Sequence, residues 1–188
     1  ICFLSINLPI NALADEIITG VNKDGKISFI EYKFNLDTNT VDGVLQIIKT
    51  GGRDSVVPIP SAQNPSLLIE PTTKGGEFCY DVGIQSRDLV IETSIRIDGT
   101  PNSEKRIFTV SDQTAGVYVV FGTINSSRQF KLCDGTVAGT LAAGKFHDIT
   151  YVINNTTHKF DVILNGKTVA SGRTIPNAAF DSVRQFRF

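Results

Sequence analysis

Residues 146–172 read FHDITYVINNTTHKFDVILNGKTVASG. Ile149, Tyr151 and Ile153 alternate with Asp148, Thr150 and Val152; Phe160, Val162 and Leu164 alternate with Lys159, Asp161 and Ile163. A period of two sends one set to a buried face and turns the other toward solvent, so the stretch predicts a β-hairpin of two amphipathic strands. Asn154-Asn155-Thr156-Thr157 supplies the first turn and Asn165-Gly166 the second.

The same period runs outward from this hairpin. Strands are expected over residues 26–36 and 44–49, around an Asp-Thr-Asn-Thr-Val-Asp-Gly turn at 37–43. Residues 56–60, Val-Val-Pro-Ile-Pro, form at best an edge strand, because proline cannot donate to a ladder. Further strands are expected over 66–70, 77–82, 89–97, 106–110, 117–122, 129–132 and 182–188, with a loop at 71–76. In 89–97, Leu89, Ile91, Ile95 and Ile97 share one face, and Glu92, Ser94 and Arg96 the other. Strands roughly ten residues apart, with Gly-, Asn- and Asp-rich turns, predict an all-β sandwich or barrel. No helical period is longer than a turn, residues 177–181 apart, and there is no internal repeat.

The 188 residues suit one all-β domain, and 41% hydrophobic content suits a globule with a sizeable core. A net charge of −1 gives no basic face for nucleic acid and argues against a polyanion-binding surface as the main design. The chain holds no Met, so it is read as a fragment or a processed form. It holds no Trp, a common sugar-stacking residue; Phe and Tyr are its aromatics.

Residues 1–14, ICFLSINLPINALA, are apolar, uncharged, and end in Ala12-Leu13-Ala14 before Asp15-Glu16. That is the apolar region and small-x-small cleavage site of a secretory signal peptide, and it is too short for a ~20-residue membrane span. The expectation is a signal-peptide remnant at 1–14, a domain at 15–188, and a secreted or cell-surface location. The alternative is a buried N-terminal strand interrupted by Pro9. Cys79 and Cys133 then remain, either as a pair or as two separate buried thiols. Sequons at Asn125, Asn154 and Asn155 fall in predicted turns, which suits surface exposure.

Residues 20–31 imitate a calcium loop. Asn22, Asp24, Gly25, Ile27 and Glu31 occupy the third, fifth, sixth, eighth and twelfth EF-hand positions. Gly20 stands first, where a carboxylate ligand belongs, and an entering helix has no room. The stretch is read as a turn at Lys23-Asp24-Gly25 feeding a strand. A sandwich glycosidase of the laminarinase type needs a Glu-x-Asp-x-x-Glu strand with carboxylates ~5.5 Å apart, and no such run exists. The two histidines, His147 and His158, have no metal-ligand spacing and read as solvated turn or strand-edge residues. No catalytic residue is assigned.

What remains is binding. Sugars present an apolar ring face and a rim of hydroxyls, and are held by aromatic faces with planar polar side chains. The outward positions that offer these groups are Glu92, Arg96, Tyr118, Gln129, Lys131, Asp148 and Asp161. An ordinary solvated sheet face is the competing reading.

From about residue 66 to 188 the chain resembles the concanavalin A-like, laminin-G-type jelly rolls. The residues that carry this are Leu89-Val90-Ile91-Glu92-Thr93-Ser94-Ile95-Arg96, Arg106-Ile107-Phe108-Thr109-Val110, Gly144-Lys145-Phe146-His147-Asp148-Ile149 and Val162-Ile163-Leu164-Asn165-Gly166-Lys167. The family's "Gly-Lys-Trp-His" appears here with Phe146 in the Trp position. The resemblance implies a two-sheet antiparallel jelly-roll sandwich of a secreted, often bacterial, protein. It implies a non-catalytic carbohydrate or cell-surface binding module, with a polysaccharide lyase or glycosidase domain, or a structural spacer, as alternatives. Some members bind calcium at a sandwich rim. In the family a further strand usually closes the sandwich after a position like Phe188, so a truncated C-terminus with an open sheet edge is expected.

Overall fold

The computed structural model describes residues 88–112 and 116–187 in full and, upstream, the backbone of nine strands. In chain order the strands are β1 (Cys2–Ser5), β2 (Thr19–Val21), β3 (Ile27–Ile30), β4 (Lys33–Asn35), β5 (Thr40–Asp42), β6 (Ile47–Thr50), β7 (Gly52–Ser61), β8 (Asn64–Pro71), β9 (Glu77–Gln85), β10 (Leu89–Ile97), β11 (Lys105–Ser111), β12 (Tyr118–Ile124), β13 (Gln129–Leu132), β14 (Val137–Thr140), β15 (Phe146–Asn154), β16 (Lys159–Leu164), β17 (Lys167–Thr174) and β18 (Val183–Arg187). There is no helix among the described residues. One sheet runs β17-β16-β15-β10-β1-β8-β7 and the other β14-β13-β12-β11-β18-β9-β6. Their inner faces share one core, so the chain is an all-β, two-sheet antiparallel sandwich.

The opening hairpin forms as its alternation dictates. β15 and β16 pair with Ile149 opposite Leu164, Tyr151 opposite Val162 and Ile153 opposite Phe160. All six are buried, and the residues between them are exposed or half-buried. Asn165 and Gly166 take φ of 50° and 77°, the two left-handed residues of a tight hairpin turn, and Leu164 faces Lys167 across it. β10 adds Ile91, Thr93, Ile95 and Ile97 to the same inner face.

The facing sheet reaches the core by breaking its own period. Between Arg106 and Thr109 the register of β11 against β12 shifts twice. Ile107 and Phe108 are therefore buried in succession on one strand, and Phe121 and Gly122 on the other. Phe108 stacks on Tyr151 with centroids 4.6 Å apart. Phe121 turns edge-on to Tyr151 at 6.0 Å, Phe160 at 5.3 Å and Phe180 at 6.3 Å. Gly122 lets them close: a Cβ there would sit 2.8 Å from Phe130 Cε2 and from the Tyr151 hydroxyl.

Polar ties join the layers at the rims. Arg128, in the turn before β13, donates from Nε to Leu141 O at 2.7 Å and from Nη2 to Ile97 O at 2.8 Å, and its Nη1 reaches Gly99 O. Asp134, after β13, pairs with Arg173 on β17. Buried Asp112 accepts from Ser182 N at 2.9 Å, Ser182 Oγ at 3.0 Å and Asp181 N at 3.0 Å, which sets the entry into β18.

Several expectations change. Residues 26–36 contain two strands, β3 and β4, and the turn at 37–43 contains β5, whose Val41 faces Phe34. β14 had too little alternation to be read as a strand; it forms because Gly139 lets Leu164 pack where a side chain would stand, 2.9 Å from the Cβ position. β18 lies between β11 and β9, so the last strand is interior and leaves no open edge. Cys2–Ser5, the start of the segment read as an export signal, forms β1 between β10 and β8; residues 6–14 lie outside the described residues. β2 and β3 pair as antiparallel strands around the calcium-loop imitation, whose residues 22–26 lie outside the described residues. The proline-broken strand is an edge strand, β7, with its register interrupted between Val57 and Ser61.

Cys79 and Cys133 do not pair. Their strands β9 and β13 are separated by β18, β11 and β12, a gap of ~19 Å at ~4.8 Å per strand, and a disulfide needs Cα atoms within ~7 Å. Cys133 is a free thiol that burial, and then Asp134 beside it, push up to about 12.

Candidate functional site

The seven outward positions divide between the two outer faces of the sandwich. Glu92, Arg96, Asp148 and Asp161 lie on the outer face of the sheet carrying β10, β15 and β16, where Ser94 faces Asp148, Glu92 faces Thr150, and Val152 faces Asp161. Tyr118, Gln129 and Lys131 lie on the outer face of the sheet carrying β12 and β13. A core two side chains deep separates the groups, so they do not form one site.

On the first face, two of the four residues are occupied in holding the fold. Arg96 is clamped by Asp98, Nε to Oδ1 at 2.7 Å and Nη2 to Oδ2 at 3.2 Å, with its guanidinium 6.0 Å from the Phe146 ring centroid. Asp161 Oδ1 accepts from Gly172 N at 2.5 Å and pins the irregular start of the β16–β17 ladder. Glu92 and Asp148 are exposed, and the remainder is partly apolar, with Val90 63% exposed opposite Val152.

On the second face, an aromatic and a polar network come together. Tyr118 is 45% exposed, and the Arg106 guanidinium lies 5.6 Å from its ring centroid. Glu104 accepts from Lys131 Nζ at 3.1 Å and from Thr123 Oγ1 at 2.9 Å. Those hydrogen bonds, Lys131's first, hold the Glu104 carboxyl below the usual carboxylate range. Gln129 Oε1 accepts from Asn125 Nδ2 at 2.8 Å, while Asn125 Oδ1 caps the turn by accepting from Ser127 N and Gln129 N. Farther along, Ser111 Oγ donates to Gln185 Oε1 at 3.3 Å, which also accepts from Arg187 Nη2 at 3.0 Å. The result is a flat polar face with one half-exposed ring and several planar side chains in fixed orientations.

Sequence reasoning missed Arg106, Glu104 and Thr123. Their signal was Glu104 and Arg106 standing two apart at the start of a strand, which puts both on one face. It also misplaced His147, which is buried and not solvated. His147 Nδ1 accepts from Asn165 Nδ2 at 3.1 Å and Nε2 donates to Ala142 O at 3.3 Å, while Asn165 Oδ1 accepts from Asp148 N at 3.0 Å. Both ring nitrogens are used in the fold, so His147 offers no free base. Asn155 is buried as well, which removes one sequon from the surface. No group of three His, Cys, Asp or Glu side chains suits a metal ion among the described residues. No helix among them is long and apolar enough to cross a membrane.

No protein-family model and no curated protein matches the chain. Among solved structures it is similar to a sialidase at 11% identity and TM-score 0.48, over 60% of this chain and 10% of that one. It is similar to a Trypanosoma rangeli sialidase in complex with 2,3-difluoro-KDN at 13% identity and TM-score 0.49, over 60% of this chain and 20% of that one. It is also similar to the carbohydrate binding module CBM66 from Bacillus subtilis at 11% identity and TM-score 0.42, over 76% of this chain and 86% of that module. The chain thus spans a tenth and a fifth of the two sialidases.

Proposed function

We propose that this chain is a non-catalytic carbohydrate-binding module of an exported or cell-surface protein, with a concanavalin A-like jelly-roll sandwich as its scaffold. The observation that carries the reading is the Tyr118 face. A half-exposed aromatic sits beside Arg106 and in the row of Ser111 and Gln185, and the Glu104–Lys131 pair and Gln129 lie farther along the same outer face, on a sheet whose opposite side is core. A pyranose ring uses such a surface through its apolar face and its hydroxyl rim together. The absence of the acid–nucleophile carboxylate strand from the sequence, and the structural use of both His147 nitrogens, favour binding over turnover. The test is affinity electrophoresis against a panel of neutral and acidic polysaccharides. Retardation by at least one polymer, lost in Tyr118→Ala with the melting temperature kept, is expected. Unretarded migration in every gel overturns the reading.

A further inference from the structure

Among the described residues the sandwich carries two arginine–aromatic pairs, one on each outer face, and they differ in one respect. The Arg96 guanidinium, near Phe146, is already neutralised by the two oxygens of Asp98. The Arg106 guanidinium, near Tyr118, has no acidic partner and no protein hydrogen-bond acceptor among the described residues, and Arg106 is exposed. Glu104, the acid beside it, is taken by Lys131 and Thr123. On the adjoining strands, Asp81 stands at the position opposite Gln185, in the row of Ser111 and Tyr118, five residues along β11 from Arg106. Arginine presents its N–H donors as a planar fork that matches the two oxygens of a carboxylate. The ring beside it limits where the fork can go and lowers the ordering needed to use it.

We propose that the Tyr118 face selects a carboxylate-bearing glycan, of the uronic acid type, by pairing the sugar carboxylate with the Arg106 guanidinium. The proposal rests on the carbohydrate-binding reading and names its ligand class. It is a local recognition of one carboxylate, in keeping with a chain whose net charge is −1 and which offers no broad basic field. Arg106→Lys keeps the charge and loses the fork, so it separates pairing from mere attraction.

The experiment compares polygalacturonate, the same polymer with its carboxyls reduced to alcohols, and dextran sulfate, by calorimetric titration and affinity electrophoresis. Neutral polymers run alongside, with thermal melts of every variant. Polygalacturonate should bind, with the reduced polymer and dextran sulfate at least tenfold weaker. Arg106→Ala should weaken polygalacturonate binding by about 10- to 100-fold, the range for losing a charge-assisted pair. Arg106→Lys should fall between Arg106→Ala and the parent. Equal binding of the reduced polymer, equal binding of dextran sulfate, or an unchanged Arg106→Ala overturns the selectivity and leaves carbohydrate binding standing. Binding to no polymer, neutral or acidic, overturns both.

Discussion

The Tyr151 hydroxyl sits at the centre of the aromatic core and meets no hydrogen-bond partner among the described residues. Burial, with Cys133 nearby, pushes its phenol above the usual tyrosine value. A buried hydroxyl without a partner costs about 1–3 kcal/mol, so Tyr151→Phe, which keeps the stack on Phe108, should stabilise the fold by about 1 kcal/mol. Urea denaturation checks this, and a clear loss of stability would show that the hydroxyl has an acceptor. Gly122→Ala should cost about 1–3 kcal/mol through overpacking. Tyr151→Phe should recover only part of that cost, because Phe130 remains in the way. Cys133 reports on the same interior. With its thiol pushed up to about 12, it is almost entirely protonated at pH 8, so it should react with a disulfide reagent far more slowly in the native protein than in guanidinium. Equal rates in the two conditions would place the thiol in solvent.

At the scale of the element, the β16–β17 turn is where local chemistry decides most. Gly166 at φ 77° tolerates no Cβ cheaply, and Gly166→Ala should lower stability by about 1–2 kcal/mol. Asn165→Ala should cost more, since it also removes the bonds to Asp148 N and His147 Nδ1. If both variants melt with the parent, the turn is not held as described. This turn, and the inward rows of β10, β15 and β16, were legible because period and turn residues are local properties. His147 was legible too: it stands two before Ile149 on the same row, and its residue type hid that. The paired bulges of β11 and β12 were not legible, because a bulge is set by the partner strand and appears in neither strand's own alternation. Without them Arg106 and Thr123 would fall on the same face as Phe108, Val110, Val119 and Phe121, so the outward row that carries Arg106 and Tyr118 cannot be assigned from alternation.

At the scale of the whole molecule, a face is a property of the sandwich and not of the list of outward residues. The alternation of Glu92, Asp148, Lys131 and Tyr118 says that each points out, while strand order alone says on which side. That is why the candidate residues were legible singly and their grouping was not. The rim tie between the sheets has a pH signature. Burial works against the Asp134 charge, but the bonds from Thr136 and Arg173 outweigh it and hold the carboxyl below its usual range. A depressed folded value means that the stabilisation is present above the unfolded carboxylate pKa of ~4 and is lost as pH falls through the folded value. The stability difference between the parent and Asp134→Asn should therefore favour the parent at neutral pH and shrink on acidification below that range. A difference that does not change with pH would remove the ion pair from the account. The same tie bears on how copies of this chain coexist at high concentration. β14 and β17 are the outermost strands of their sheets and meet on one flank, and an unpartnered outer strand is where a foreign chain adds on and seeds a fibril. Arg173 on β17 and Asp134, in the turn that leads into β14, tie the two outer strands together, an arrangement that should oppose recruitment of either one into cross-β growth.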